Sequence, residues 1–325
     1  MRRREFVAAL GGALAWPVAA SAQQPAMSVV GWLSGGSKES DAYRVAAVKR
    51  GLAEAGFVEG RNILFEYQWA GNQYDRLPVL VSNLVARRVA VIVTNGNAAG
   101  IAAYKVSAAI PIVFQVGGDP ISLGLAQSLA RPGGNATGVT FLGSSLAPKL
   151  FEVLRESVPH AEIIGFLENP ANPNAETVRN EVQSAAKAFS KKLIVAQAVV
   201  EQDFAPAFQL FIRSKAEAVL VRNDLLFNER PQQLVALANL HKIPTIFGQR
   251  EFALAGGLMS YGASIVEAYR QAGVYAGRVL KGEKPAELPI MQATKVELVI
   301  NLKAARALGL DMPQTLLARA DEVIE

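Results

Sequence analysis

The side chains best suited by type and spacing to hold a small molecule are amides and acids that end short apolar runs. Asn95 closes Ala90-Val91-Ile92-Val93-Thr94, and Asn223-Asp224 follows Ala218-Val219-Leu220-Val221-Arg222. Asp119 follows Gln115-Val116-Gly117-Gly118 at the end of a third run. An amide side chain both donates and accepts, whereas a carboxylate only accepts. This set could therefore hold a zwitterion. Asp224 would take an ammonium with Asn223 beside it. The N–H groups of the Gly117–Asp119 or Ser34–Gly36 turn would take a carboxylate. Two other roles stay open. Asp119 and Asp224 could each cap a following helix, or, as acids at matching places, serve acid–base catalysis. Trp69 and Tyr261 end further strands, where a ring could stack on a ligand.

Other chemistries lack their residues. His160 and His241 are isolated and there is no cysteine. That leaves no zinc set, disulfide, thiol nucleophile or lipid-modified N-terminal cysteine. No Gly-x-Ser-x-Gly elbow is present for a serine nucleophile. Gly31 lies inside a strand candidate and Gly35-Gly36 has no third glycine at dinucleotide spacing; the Walker loop is missing too. No cofactor and no metal are expected, and we expect no enzyme. The formal charge of +5 is spread without a basic–aromatic cluster, so no nucleic-acid partner is implied.

These loops need elements to position them, and the chain spells those elements twice. Val29-Val30-Gly31-Trp32-Leu33 returns as Ile163-Ile164-Gly165-Phe166-Leu167. The run ending in Asn95 returns as the run ending in Asn223, and Ile110-Pro111-Ile112-Val113-Phe114 returns as Ile243-Pro244-Thr245-Ile246-Phe247. The order is kept at a spacing of about 130 residues, which predicts two similar lobes. Strand candidates are 28–33, 62–69, 90–94, 111–115 and 137–141, then 162–167, 192–198, 218–222, 244–247 and 257–260. Amphipathic stretches separate them, including 41–55, 74–87, 97–108, 172–189, 203–213, 230–240 and 264–281. Continuous apolar strands alternating with helices predict α/β lobes with doubly wound parallel sheets. Asp119-Pro120 reads as a cap with proline at the first helical position.

In such sheets ligands gather at the carboxyl ends of the strands. That rule selects Ser34, Gly35, Trp69, Asn95, Gly96, Gln115, Gly117 and Asp119 from the first lobe. It selects Asn169, Asn223, Asp224 and Tyr261 from the second. Turn-rich segments 131–145 and 255–264 predict crossings between lobes, with a third in 285–297. The expected division is 27–142 with about 263–287 in lobe 1, and 143–262 with about 288–325 in lobe 2. Residues 1–22 read as a cleaved leader. Arg2-Arg3-Arg4 precedes an apolar stretch too short to span a bilayer, and Ala20-Ser21-Ala22 offers a cleavage site before Gln23. Arg3-Arg4-Glu5-Phe6-Val7 also resembles a twin-arginine motif, although ordinary export serves the same basic start. A periplasmic product without a lipid anchor is expected.

Longer stretches carry a resemblance. They include Pro111-Ile-Val-Phe, Gly117-Gly-Asp-Pro-Ile-Ser-Leu-Gly-Leu and Arg131-Pro-Gly-Gly-Asn-Ala-Thr-Gly-Val. Three more are Ala255-Gly-Gly-Leu-Met-Ser-Tyr-Gly, Tyr275-Ala-Gly-Arg-Val-Leu-Lys-Gly-Glu-Lys-Pro and Leu298-Val-Ile-Asn-Leu-Lys-Ala-Ala-Arg-Ala-Leu-Gly-Leu. Over residues 27–325 the chain resembles the exported substrate-binding proteins of ABC transporters with a type I periplasmic-binding fold. The resemblance implies two lobes joined by a hinge, a small-molecule ligand, amino-acid-like in some relatives, and a membrane permease as partner. An exported hydrolase or isomerase using cleft carboxylates, or the sensing module of a signalling system, are the alternatives.

Overall fold

Apolar strands buried on both faces build each half of the chain around its own sheet. The computed structural model describes residues 27–141, 143–293 and 295–325; the expected leader, residues 1–22, lies outside them. In the first half β1 (Ser28–Ser34), β2 (Ile63–Trp69), β3 (Val91–Asn95), β4 (Ile112–Val116) and β5 (Ala136–Thr140) alternate with α1 (Lys38–Glu54), α2 (Leu77–Ala86) and α3 (Asn97–Val106). In the second half α4 (Gly143–Ser157) leads into β6 (Ile163–Glu168), α5 (Ala175–Ala188), β7 (Lys192–Gln197), α6 (Phe204–Arg213) and β8 (Ala218–Val221). There follow α7 (Leu225–Asn228), α8 (Pro231–Leu240), β9 (Thr245–Phe247), α9 (Arg250–Leu254) and β10 (Met259–Ala263). The chain ends with α10 (Ile265–Leu280), β11 (Met291–Gln292), β12 (Val296–Asn301), α11 (Leu302–Leu308), α12 (Gln314–Leu317) and β13 (Glu322–Ile324).

The two sheets share one order. The first runs β2-β1-β3-β4-β5-β11 and the second β7-β6-β8-β9-β10-β12-β13. The strands pair in parallel except β10 with β12. The fold is α/β, two doubly wound lobes of like topology. In lobe 1, α1 and α10 cover the face of Val30, Trp32, Val91 and Val93, while α2 and α3 cover Leu33, Ile92 and Phe114. In lobe 2, α4 and α5 cover one face, and α6 and α8 the other.

Helix α10 belongs to lobe 1 although β10, the strand just before it, belongs to sheet 2. It lies backbone to backbone on α1: a Cβ at Gly51 would sit 1.8 Å from the Arg270 carbonyl oxygen, and one at Gly273 2.1 Å from that of Val48. The chain passes between lobes three times, from β5 to α4, from β10 to α10 and from β11 to β12.

Two expectations need correction. The return to lobe 1 does not end near 287. Leu288 and Ile290 are buried in the two cores of lobe 1, and β11 extends its sheet beside β5, so the chain leaves after Gln292. No regular helix follows Asp119-Pro120 either. Residues 120–125 make isolated turns, because Gly124 turns left-handed at φ 72° and stops the spiral.

Candidate functional site

The carboxyl ends of both sheets open onto one cleft of about 1000 Å³ including its mouth, within the range of small-molecule sites. Of the strand-end residues expected there, Asn95, Gly96, Gly117, Asn223, Asp224 and Tyr261 line it. The other six do not. Ser34 is buried inside the β1 turn, where its Oγ accepts from Gly36 N at 2.9 Å and from Asn95 Nδ2 at 3.1 Å. Gly35 packs against Tyr74 and Leu225. Trp69 stacks on Tyr67, ring centroids 5.1 Å apart and nearly parallel, and Tyr67 stacks on Phe65. This ladder runs along edge strand β2, not in the cleft. Gln115 is fully buried with neither amide atom bonded. Asn169 lies beneath the wall, its Nδ2 donating to Asp224 at 3.0 Å. Asp119 is exposed and accepts from Ile121 N, Ser122 N and Ser122 Oγ. Burial opposes its charge, and those hydrogen bonds together outweigh it and lower its pKa.

The polar groups that reach the cleft are mostly committed to one another. Asn95 donates to Asp41 Oδ1 at 2.8 Å and accepts from the Tyr269 hydroxyl. Asp224 caps α7 by accepting from Leu226 N at 3.0 Å, and it also accepts from Asn169 and from Asn172 Nδ2 at 2.6 Å. The turns expected to take a carboxylate have committed several of their donors. Gly117 N and Gly118 N both donate to Asn97 Oδ1, and Gly36 N donates to Ser34 Oγ. Asp119 stands outside the cleft and Asp224 is filled, so these two acids do not face each other across it as a pair for acid–base work.

Among the buried side-chain atoms of residues lining the cleft, the unpartnered ones are Arg44 Nη2, Arg222 Nη1 and Asn228 Oδ1. None of the three residues was expected from the sequence. Arg44 projects from α1 in lobe 1 and is 1% exposed; its Nη1 reaches Asp41 at 3.3 Å and the Ser40 carbonyl at 2.8 Å. Burial disfavours its charge, and Tyr43, Tyr269 and Asp41 around it more than offset that, so its pKa is raised. Asp41 itself is pushed up by burial, against the pull of Arg44. Arg222 directly follows β8 in lobe 2 and is 5% exposed. Its Nη2 donates to Asn174 Oδ1, a neutral acceptor. Burial lowers its pKa, against the charges of Asp224 and Glu168. A buried guanidinium without a bonded anion is costly, so Arg222 is the strongest anion-seeking group in the wall. Apolar and aromatic side chains share the cleft wall with it: Phe141, Leu146, Leu150, Leu220, Tyr261 and Ile265.

The model of the ABC transporter substrate binding protein family matches residues 30–324. The chain belongs to that family. Among similar proteins, a tyrosine-binding protein of Clostridioides difficile is 25% identical over 261 residues, covering 80% of this substrate-binding protein and 75% of that one. The crystal structure of a conserved domain protein from Vibrio cholerae superposes with a TM-score of 0.85 at 26% identity, over 91% of this chain and 99% of that one. An ABC domain from Streptococcus pneumoniae in complex with L-Trp gives 0.83 at 24% identity, over 92% and 100%. These neighbours share the two-lobed, type I periplasmic-binding architecture. The family is one of substrate-binding proteins. Among the described residues no helix is long and apolar enough to cross a membrane.

Proposed function

We propose that the protein is the extracytoplasmic receptor of an ABC importer and captures an amino-acid-like solute with an apolar body between its lobes. The carrying observation is Arg222: a cation 95% out of solvent, bonded to a neutral amide and keeping one nitrogen free at the cleft wall. A ligand carboxylate would meet it there with a charge-assisted hydrogen bond. Asn228 Oδ1 supplies the complementary acceptor for an ammonium, the role the sequence had suggested for Asp224. The aromatic and branched side chains that share the cleft wall suit a ring or alkyl group. Relatives described as binding tyrosine and holding L-Trp point to the same class.

In this reading the ligand makes contacts from both lobes, so it favours the closed form and draws the lobes together. The closed form is what a membrane permease would recognise. Export would follow from the leader expected in residues 1–22, with the mature chain beginning at Gln23 in the periplasm. Isothermal titration of the mature protein against the twenty L-amino acids and small aryl carboxylates tests the ligand class. Binding of at least one apolar or aromatic member at about micromolar Kd, near −8 kcal/mol, is expected. Silence across the panel, with binding of uncharged sugars or polyols instead, overturns it.

A further inference from the structure

We propose that Glu229 is a latch that holds the two lobes closed and so sets affinity without touching the ligand. The inference rests on the reading that the lobes close to capture a solute. Glu229 follows α7 in lobe 2 and is not part of the cleft wall. Its carboxylate reaches across to lobe 1. Oε1 accepts from Ser37 N at 2.6 Å and from the Ser40 hydroxyl, and Oε2 accepts from Asn72 Nδ2 at 2.6 Å. The donors come from the start of α1 and from the turn after β2, so a single side chain clasps two elements of the opposite lobe.

The physics favours this clasp. Helix α1 has 17 residues, and its first turn presents the positive end of the helix dipole to the carboxylate. The bonds are charge-assisted, about twice as strong as neutral ones. Gly36 leaves the space: a Cβ there would sit 2.4 Å from Glu229 Oε1. When the lobes part, α1 does not lose its cap. Ser37 and Ser40 form a capping box of their own, with Ser37 N at 3.3 Å from Ser40 Oγ. Glu229 meanwhile returns to water. The contact therefore has two satisfied states, one for each arrangement of the lobes, as a switchable element requires.

Helix α7 links this latch to the ligand. It carries Leu225 and Asn228 on the cleft wall, and Asp224 at its start. Leu225 also fits against Gly96, where a Cβ would be 2.6 Å from its Cδ1. Whatever settles α7 in place brings Glu229 onto α1, and the reverse holds by linkage.

The test uses the mature protein without ligand. The chain has no cysteine, so Ser82→Cys on α2 and Ser184→Cys on α5, both exposed and in different lobes, accept one spin label each. Pulsed electron–electron resonance then reads the distance between lobes. Wild type should show a short-distance population. Glu229→Gln, and Gly36→Ala from the opposite lobe, should each lower its ratio to the long-distance population about tenfold, the size of one hydrogen bond to a charged group. Both should melt within a few degrees of wild type. With L-tryptophan as probe, Kd should rise by a similar factor through a faster off-rate. A distribution for Glu229→Gln that overlays wild type, or a wild type with no short population, overturns the latch. The distance measurement needs no ligand, so a failure of L-tryptophan to bind bears on the receptor reading alone.

Discussion

Replacing Asp224 with alanine separates two roles for the same carboxylate. If it waits to receive a ligand ammonium, its removal leaves the empty protein as stable as before. The structure assigns it other work. It caps α7 through Leu226 N and receives the amides of Asn169 and Asn172, while only 3% exposed. The lost cap costs about 1 kcal/mol. Each amide left without an acceptor costs about 1–3 kcal/mol, less for Asn172, which keeps some solvent. Deleting the carboxylate also removes its own desolvation, which offsets part of this. We expect Asp224→Ala to lose about 3 kcal/mol without ligand. Asp224→Asn, which keeps an oxygen for Leu226 N and Asn169, should lose about 1 kcal/mol. Equilibrium urea unfolding followed by circular dichroism measures both as a lower midpoint at unchanged slope. Ligand affinity should fall by less than about tenfold, the factor that 1.4 kcal/mol represents. An Asp224→Ala protein with wild-type stability and a binding loss beyond a hundredfold would refute the reasoning and return the ammonium to Asp224.

Three further outcomes follow. Arg222→Met should weaken a carboxylate ligand by about a hundredfold or more, since removing one partner of a buried charged pair costs about 3–5 kcal/mol; urea midpoints should stay level or rise, because a buried cation is gone. Trp69→Phe should leave affinity in isothermal titration unchanged, because the ring stacks on Tyr67 along β2, away from the cleft. Gly273→Ala should destabilise lobe 1 by more than about 3 kcal/mol, the overpacking range, since its Cβ would stand 2.1 Å from the Val48 carbonyl oxygen; a calorimetric melt within 1 °C of wild type would contradict that close approach.

The fold was legible because its signals are local. Runs such as 90–94 and 218–222 are apolar throughout, and their lengths and spacing fit parallel strands between helices. Short β11 and the antiparallel β12 escaped the reading: Val296-Glu297-Leu298-Val299-Ile300 mixes an acid into its run, and two-residue β11 is held by tertiary pairing with β5. The site was half legible. The carboxyl-end rule found Asn95, Asn223 and Tyr261, since it depends on topology alone. It could not foresee which polar groups would pair with each other. Asn97 fills the glycine turn and Asn172 fills Asp224, contacts that join residues 20 and 52 apart. Trp69 failed for a reason the sequence contains. Phe65, Tyr67 and Trp69 recur at period two and so share one face of the strand, which becomes a ring ladder. Arg222 and Arg44 also left a signal. A charge ends the fully apolar run Ala218–Val221, and Arg44 sits among Asp41, Val45 and Val48 on the buried face of α1. Charges placed where burial is expected are costly unless partnered, and that cost marks them as functional candidates.

The central claim is that a ligand carboxylate meets Arg222 between the lobes. The most direct measurement is a crystal structure of the mature protein with the tightest-binding member of the amino-acid and aryl-acid panel. The account predicts density in the inter-lobe cleft, with a carboxylate oxygen within 3 Å or so of an Arg222 nitrogen, the usual charge-assisted distance, and contacts from both lobes. Density outside the cleft, or a ligand in the cleft whose carboxylate points away from Arg222, would contradict it.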